Sequence, residues 1–166
     1  MSNIILIGMP GCGKSTVGVV LAKTLGIGFV DTDLIIQQRE KRLLQNIIDT
    51  DGIDYFLDCE AEAIKTVDCD NSVIATGGSV VFREEAISHL KKNGKIIYLN
   101  VPLDEIKRRL NNINTRGIAA KKDDSIENIF IERSPLYEKY ADFIIALANS
   151  TVEETVAKIC QKLKNK

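Results

Sequence analysis

A glycine-rich loop between an apolar run and a helical pattern is the feature that most constrains this chain. The run NIILI is followed at residues 8–18 by GMPGCGKSTVG. Gly8, Gly13, Lys14 and Ser15 satisfy the pattern GxxxxGK(S/T). In such a loop, glycines let successive backbone N–H groups point inward at phosphate oxygens, at the positive end of the helix that follows. The sequence therefore predicts a phosphate-binding loop on an α/β fold.

Short apolar runs alternate with longer helical patterns along the rest of the chain. The β-rich runs lie at residues 3–7, 27–30, 72–76, 95–101 and 142–147. The segments between them carry apolar residues three or four positions apart. This alternation is typical of βαβ units in a parallel sheet. We therefore expect residues 1–166 to form a single α/β domain.

Two regions interrupt the alternation. Residues 32–71 are predicted to contain two or three helices, whereas residues 111–125 have little apolar periodicity and are interpreted as a mobile flap. Insertions in an α/β sheet tend to carry function on segments that the rigid sheet positions. We therefore expect a substrate-binding helical insertion in the first region and a flap over the site in the second.

Charge and cysteine content exclude several classes of function. With 22 basic and 23 acidic side chains, the net charge is −1, so the chain lacks the basic footprint of a nucleic-acid or anionic-membrane partner. The four cysteines form no CxxC pair and His89 is the single histidine, so a structural zinc site lacks its usual ligands. No apolar run approaches the roughly 20 residues that span a bilayer, and no signal-peptide pattern is found. We expect a cytoplasmic protein with a small-molecule partner.

The residues of the phosphate loop have separate expected roles. Lys14 is expected to reach the β- and γ-phosphates of a nucleotide, and the Ser15 hydroxyl to bind Mg²⁺. Gly11 and Gly13 let the backbone curl around the phosphates. The side chain of Cys12 is expected to point away while its N–H binds phosphate. A reactive thiol is the alternative for Cys12, because a helix N-terminus and a nearby lysine lower a thiol pKa.

Two carboxylates end the second apolar run, in the segment DTD. The carboxyl ends of parallel strands meet at the edge where ligands bind in open α/β sheets. Asp31 is expected to hold Mg²⁺ through water, and Asp33 to orient or deprotonate a substrate hydroxyl. The alternative is that Asp31 or Thr32 only caps the helix that begins near Leu34.

Other segments help to separate the classes of phosphate-loop protein. The chain has no NKxD motif for guanine and no apolar strand ending in Asp-Glu that would polarise an attacking water. Gly77 and Gly78 follow the third apolar run, where glycine lets the backbone approach a ligand closely. A plain tight turn is the alternative at that position. These features favour a small-molecule kinase over a GTPase switch or an ATPase motor.

In order and spacing, these segments resemble the shikimate kinase family. The resemblance covers nearly the whole chain and rests on GMPGCGKSTVG, FVDTD, DGIDYFLDCEAEAI, VIATGG, an arginine in the flap and ERSPLYEKYAD. It implies the phosphate-loop kinase fold, a three-layer sandwich whose five-stranded parallel sheet has the order 2-3-1-4-5. It also implies transfer of the γ-phosphoryl group of ATP, with Mg²⁺, to a ring hydroxyl of shikimate. The product would be shikimate 3-phosphate, on the route to aromatic amino acids, and the enzyme a monomer.

The resemblance implies roles for residues on the nucleotide side. The ATP phosphates would be bound by Gly11, Cys12, Gly13, Lys14, Ser15 and Thr16. Ser15 and Asp31 would hold the metal, and Arg109 would stack on adenine. Arg116, in the flap, would close over the phosphates and exclude water, which suppresses wasteful ATP hydrolysis. Lys14 and Arg116 would act in catalysis together with Asp33.

The resemblance also implies roles on the acceptor side. Asp33 would meet the substrate hydroxyls, and Gly77 and Gly78 would approach the substrate through the backbone. Arg133 would pair with the substrate carboxylate. Glu60 would buttress the arginine that the family has at position 57, and in its absence is expected to orient Arg133. From the residues alone, the alternative is that Arg133 is only a surface charge on a helix.

Three positions depart from the family pattern. Leu57 stands where the family has an arginine that clamps the shikimate carboxylate, and Ser79 stands for a third glycine. In the flap, the family's RPLL becomes RGIA at residues 116–119. A charge-assisted hydrogen bond is worth about 1.5 to 3 kcal/mol, so shikimate is expected to bind roughly 10- to 100-fold more weakly without a substitute. The nearby cations that could substitute are Arg39, Lys41 and Arg42.

Leu57 also leaves two other functions open. One is a kinase of another small polyhydroxy metabolite that has no carboxylate at that position. The other is a regulatory module that binds nucleotide and transfers nothing, although such a module has no need of Asp33 or Arg116.

Overall fold

The computed structural model describes residues 2–110, 117–121 and 123–164. Five strands form one sheet, and every neighbouring pair is parallel. The strands are β1 (Asn3–Ile7), β2 (Gly28–Asp31), β3 (Ser72–Ala75), β4 (Gly94–Asn100) and β5 (Phe143–Ala146). Their order is β2-β3-β1-β4-β5, which confirms the predicted topology. The five apolar runs of the sequence match these strands to within one residue at each end.

Helices cover both faces of this sheet. They are α1 (Lys14–Leu25), α2 (Thr32–Glu40), α3 (Leu44–Lys65), α4 (Glu84–Lys91), α5 (Leu103–Arg109), α6 (Ile126–Tyr140) and α7 (Val152–Lys164), and a 3₁₀ turn spans Val80–Phe82. Every residue of β1 and β3 is buried, as is typical of parallel strands packed on two sides. On the outer layers, α1 packs against α7 and α3 against α4. The three-layer α/β architecture is confirmed.

The insertion between β2 and β3 has a small apolar core of its own. Gly52 has φ 87° and ψ 173°, which no helix allows, and it divides α3 into two helical parts. The predicted two or three helices of residues 32–71 thus correspond to α2 and the two parts of α3. Their buried side chains include Ile36, Ile47, Phe56 and Leu57, and Ala119 of the flap packs with them. The insertion and the flap therefore meet in one apolar cluster.

The sheet brings the candidate site residues to one edge. β1 ends at Ile7, directly before the phosphate loop, and Asp31 at the end of β2 is in register with Ala75 at the end of β3. The segments that follow these three strands therefore converge, as parallel strands require. Across the parts of the chain that the structure describes, no helix is long and apolar enough to cross a membrane.

Candidate active site

The loop between β1 and α1 forms a concave backbone cradle. Gly8, Gly11 and Gly13 have φ values of 147°, 78° and 96°, which side chains other than glycine rarely allow. Gly13 lies directly before the first residue of α1, where the helix leaves its first N–H groups without intrahelical partners. Amides of a left-handed turn and of a helix N-terminus together form an anion-binding nest. The cradle therefore fits a phosphate group.

Lys14 places a buried charge at the mouth of this cradle. The residue is 8% exposed, and its Nζ donates to Gly8 O at 2.8 Å and to Met9 O at 3.0 Å. Among the residues that the structure describes, no carboxylate lies within ion-pair distance of this ammonium. Its third contact is with Cys12 Sγ at 3.7 Å, so the buried charge has only neutral partners and is incompletely compensated. Lys14 is thus ready to bind an anion that enters the loop.

Cys12 is a packing residue whose amide is engaged within the loop. Its side chain is 2% exposed and belongs to the main core, as expected for a side chain that points away from the ligand. The thiol is thus shielded from solvent, while Lys14 Nζ lies 3.7 Å from its sulfur, so the reactive-thiol alternative stays a prediction. Its N–H donates to Met9 O at 3.1 Å. The expected hydrogen bond from this N–H to phosphate stays a prediction. In that case the N–H would donate to both the phosphate and the carbonyl oxygen of Met9.

Ser15 and Asp31 face each other at the end of the loop. The Ser15 hydroxyl donates to Asp31 Oδ2 at 2.7 Å, while Asp31 Oδ1 accepts from the Asp33 N–H at 3.0 Å. Asp31 therefore caps α2 with one oxygen and faces the loop with the other. Its role in holding Mg²⁺ stays a prediction. A hydroxyl and a carboxylate beside a phosphate cradle are the donor set that Mg²⁺ takes, completed by phosphate and water oxygens.

The phosphate loop and the acceptor-side residues share one cavity of about 310 Å³. Lys14, Ser15 and Thr16 line one end, and Asp33, Gly77, Gly78 and Arg133 line the other. The flap contributes residues 117–119 to the wall. The sequence-predicted residues on these two sides therefore come together, and both ends open into the same space.

Asp33 presents a free carboxylate oxygen at this cavity. Asp33 is half-buried, and its Oδ1 atom is shielded from solvent without a hydrogen-bond partner. The pKa of the Asp33 carboxyl is raised to about 6, chiefly by burial and also by the negative charge of Asp31, against the opposing charge of Lys14. A carboxylate whose pKa lies near neutrality is suited to accept a proton from a hydroxyl.

Arg133 is buried beside the acceptor end of the cavity. The residue is 2% exposed, which excludes the surface-charge interpretation. Its Nη2 donates to Ala119 O at 2.6 Å, and the guanidinium lies 5.3 Å from the ring centroid of Phe82. Its buried Nε has no hydrogen-bond partner, and no acidic side chain in the described parts of the chain forms an ion pair with it. A buried, unpaired guanidinium of this kind fits a carboxylate ligand.

Glu60 lies behind the cavity wall and contacts Ser79. Glu60 is 1% exposed, and its Oε2 accepts the Ser79 hydroxyl at 2.7 Å. Its Oε1 has no partner and approaches Gly77 so closely that a Cβ atom there would overlap it. No ion pair joins Glu60 and Arg133, although the positive charge of Arg133 partly offsets the rise that burial causes in the pKa of Glu60. The expectation that Glu60 orients Arg133 stays a prediction. Ser79 has φ −96°, so this position does not need glycine.

The burial of Glu60 leads to a prediction about stability and pH. Burial raises the pKa of Glu60 from 4.5 to about 7, although the Ser79 hydrogen bond lowers it. Between these values the folded state binds a proton that the unfolded chain does not, so the free energy of unfolding decreases as the pH rises and levels off above about 7. We expect Glu60→Gln to raise the free energy of unfolding by about 2 to 3 kcal/mol at pH 8.

Denaturant unfolding of both proteins between pH 4.5 and pH 8 measures this effect. The difference between variant and wild type should grow as the pH rises. Glu62→Gln is the matched control, because Glu62 is an exposed carboxylate on the same helix, and it should show no such growth. If Glu60→Gln changes the free energy of unfolding by the same amount at every pH, the pKa of Glu60 is not raised by its burial.

Leu57 is part of the apolar cluster of the insertion and is 6% exposed. The predicted substitutes for the missing arginine are placed elsewhere. Arg42 forms ion pairs with Glu40 and Asp51, Arg39 donates to the carbonyl of Glu62, and Lys41 is exposed at the end of α2. None of these three side chains lines the cavity, so this expectation is wrong.

Arg109 lies against the outside of the phosphate loop. Its Nη1 donates to Cys12 O at 3.3 Å and to Gly11 O at 3.4 Å, and its Nη2 pairs with Glu105. Its predicted stacking on adenine stays a prediction. Arg116 lies outside the described residues, as do the other flap positions 111–115 and 122. The next flap residue, Gly117, has φ 60° and packs against Leu44 so closely that a Cβ atom would overlap it.

Tyr137 is a site residue that the sequence analysis missed. This fully buried tyrosine donates to Gly78 O at 2.5 Å, and it lies one helical turn after Arg133 on α6. The two side chains tie α6 to the acceptor end of the cavity. The spacing of four residues within ERSPLYEKYAD is the signal that could have identified them as a pair on one helix face.

Comparisons with known proteins agree with this site. The family model described as "Shikimate kinase" matches residues 10–164. A shikimate kinase of Thermodesulfovibrio yellowstonii is 39% identical over 165 residues, covering 98% of this chain and 95% of that protein. One of Clostridium botulinum strain Eklund 17B is 36% identical over 159 residues, covering 95% and 94%.

Two solved structures are similar over the whole fold. The shikimate kinase from Acinetobacter baumannii in complex with shikimate has a TM-score of 0.90 at 27% identity, covering 100% of this chain and 95% of that chain. The shikimate kinase from Aquifex aeolicus has a TM-score of 0.84 at 34% identity, covering 98% and 96%. The family model and these relatives cover nearly the whole chain, and the chain belongs to the shikimate kinase family.

Proposed function

We infer that this protein transfers the γ-phosphoryl group of ATP to a hydroxyl of shikimate and releases ADP and shikimate 3-phosphate. The observation that carries this inference is the shared cavity. A phosphate cradle with a buried lysine lies at one end, and a free carboxylate and a buried guanidinium lie at the other. An alcohol with a carboxylate on the same small ring fits that second pair of groups. Family membership supports the same donor and acceptor.

On the nucleotide side, the residues bind and neutralise charge. The loop amides and Lys14 hold the phosphate chain, because the first N–H groups of α1 and a buried ammonium face the same space. Ser15 and Asp31 are proposed to hold Mg²⁺. When bound, Mg²⁺ neutralises negative charge on the phosphate oxygens. These residues supply positioning and electrostatic stabilisation, which account for most of the catalysis of phosphoryl transfer.

On the acceptor side, the residues orient one hydroxyl toward the phosphate end. Asp33 is proposed to accept the hydroxyl proton at Oδ1, the oxygen that has no partner in this structure. Arg133 is proposed to bind the carboxylate of the acceptor. Gly77 and Gly78 are proposed to approach the ring through the backbone, and the Tyr137 hydroxyl holds the carbonyl of Gly78 in place.

The flap and the domain organisation complete the proposal. Residues 1–166 are proposed to act as one kinase domain, with residues 32–71 as the substrate-binding insertion and residues 111–125 as the flap. Arg116 is proposed to close over the phosphates and exclude water. A monomer in the cytoplasm is also proposed. The four cysteines are free thiols, which is usual in a reducing compartment.

A coupled assay of ADP release tests this function directly. ADP release from ATP and Mg²⁺ should rise strongly when shikimate is added, and one product should be a phosphorylated acid. Other small polyhydroxy compounds without a carboxylate serve as the comparison set. Stimulation by one of them and none by millimolar shikimate would favour the alternative acceptor. Nucleotide binding without turnover on any acceptor would favour a regulatory module.

A further inference from the structure

A second cavity adjoins the acceptor end of the active site. It has a volume of about 280 Å³, and Arg133 and Ala119 line both cavities. Its apolar wall includes Leu57 and Phe82, and Arg83 lies in the same lining. Two guanidinium groups, those of Arg133 and Arg83, thus face one small space beside the site where the acceptor is proposed to bind.

Arg133 leaves part of its hydrogen-bonding capacity unused in this space. One N–H group donates to Ala119 O, and the buried Nε–H group has no partner. A carboxylate has two oxygens and accepts two or more donors. A carboxylate bound by Arg133 at the shared wall therefore needs donors for its second oxygen. Leu57 flanks this wall and has no donor to offer.

Arg83 is placed to supply those donors. It lies at the junction of the 3₁₀ turn and α4, directly after Phe82, whose ring packs under the Arg133 guanidinium. Its Nε and Nη2 contact the same oxygen of Asp58, Oδ1, at 3.0 and 2.9 Å. The Asp58 side chain is 69% exposed, and an exposed ion pair of this kind contributes little stability. A less solvated carboxylate at the cavity can therefore compete for the Arg83 guanidinium.

The other charged groups of this cavity are less suitable. Lys121, Asp124 and Glu132 also line it, and all three are exposed to solvent. Lys121 belongs to the flap, whereas Arg83 is fixed by the backbone of α4 and by its contact with Asp58 on α3. The two acidic groups repel a carboxylate from the outer rim and leave the inner wall, between Arg133 and Arg83, as the favourable position.

We propose that Arg83 is a specificity-determining residue that binds the carboxylate of the acceptor together with Arg133. This inference rests on the proposed function, because it assigns one group of the same acceptor to a named contact. Leu57 replaces one of the two arginines that the family pattern has for the acceptor carboxylate. With Arg83 in that role, the site still offers two guanidinium groups to an anionic acceptor. The acceptor ring then lies between this anion site and Asp33.

Steady-state kinetics with two variants of one ion pair test the proposal. Arg83→Gln and Asp58→Asn remove the same contact, so a purely structural role of the pair predicts equal effects. The proposal instead predicts that Arg83→Gln raises the KM for shikimate about 10- to 100-fold, with kcat and the KM for ATP within twofold of wild type. Asp58→Asn frees Arg83 and should leave the KM for shikimate unchanged or lower.

Four further measurements sharpen the test. Leu57→Arg supplies a new guanidinium to the same cavity and should restore the KM for shikimate in the Arg83→Gln background. Shikimate carboxamide, which carries no charge, should be a poor acceptor whose KM does not change on Arg83→Gln. Calorimetric titration with shikimate alone should show the same loss of affinity in Arg83→Gln without requiring turnover. Arg83→Lys keeps the charge and should give a KM for shikimate between those of wild type and Arg83→Gln. This variant replaces Arg83→Gln in the test if Arg83→Gln does not fold.

The outcomes separate this inference from the proposed function. If wild-type protein phosphorylates shikimate and Arg83→Gln has the wild-type KM, or the same KM as Asp58→Asn, the role of Arg83 is wrong and the function stands. If wild-type protein neither binds nor phosphorylates shikimate, the proposed function fails and the role of Arg83 fails with it.

Discussion

Replacing Asp33 with asparagine is expected to lower kcat for shikimate phosphorylation by about 10²- to 10⁴-fold. Asparagine keeps the size of the side chain but cannot accept the hydroxyl proton at the position of Oδ1. The backbone of residue 33 should stay in place, because its N–H donates to Asp31 and that contact does not involve the substituted side chain. The KM for ATP should therefore remain close to that of the wild type.

The measurement is the coupled assay of ADP release at saturating shikimate and ATP. Asp58→Asn is the matched control, because it makes the same chemical change at an exposed carboxylate outside the main cavity, and its kcat should match the wild type. A kcat for Asp33→Asn within threefold of the wild type would show that Asp33 is not the proton acceptor. Thermal unfolding should show that both variants are folded.

Replacing Lys14 with methionine is expected to lower kcat by about 10²- to 10³-fold. Methionine retains the length and apolar character of the side chain and removes the positive charge that faces the phosphate cradle. Stability should change little. The ammonium is buried with two carbonyls and the Cys12 sulfur as partners, so the lost hydrogen bonds are offset by the removal of a poorly compensated charge.

Kinetics and thermal unfolding together check this expectation. Lys23→Met is the matched control, since Lys23 is exposed in the last turn of the same helix and should tolerate the change without loss of kcat. Tight nucleotide binding combined with a normal kcat in Lys14→Met would contradict the assigned role. A large drop in melting temperature would indicate instead that Lys14 is mainly a structural residue.

The fold was predictable from the sequence because the pattern of apolar runs is local information. Each strand of the sheet corresponds to a run of four to seven residues, and only the ends differ. Strand ends depend on pairing between distant segments. For example, β2 extends to Asp31 because its partner β3 offers Ala75 in register. The phosphate loop and the Ser15–Asp31 contact were likewise predictable, because fixed spacing and parallel strand ends bring them together.

The contacts of the acceptor side were much less predictable. Glu60 and Ser79 are 19 residues apart, and only the packing of α3 beside the β3 end makes them partners. Arg133 is buried although its helix carries charged residues on both sides in sequence, so helix periodicity alone does not indicate it. Arg83 belongs to none of the motifs that the sequence analysis identified. Its place beside Leu57 depends on how the 3₁₀ turn packs against α3.

The two oxygens of Asp31 serve opposite ends of the active site. Oδ2 faces Ser15 in the phosphate loop, and Oδ1 holds the N–H of Asp33, the proposed proton acceptor. A substitution at Asp31 therefore disturbs the metal position and the aim of Asp33 at once. The kinetics of such a variant therefore mix changes at the ATP site with changes at the acceptor site. The acceptor site is better mapped with variants of residues that contact only one end of the cavity.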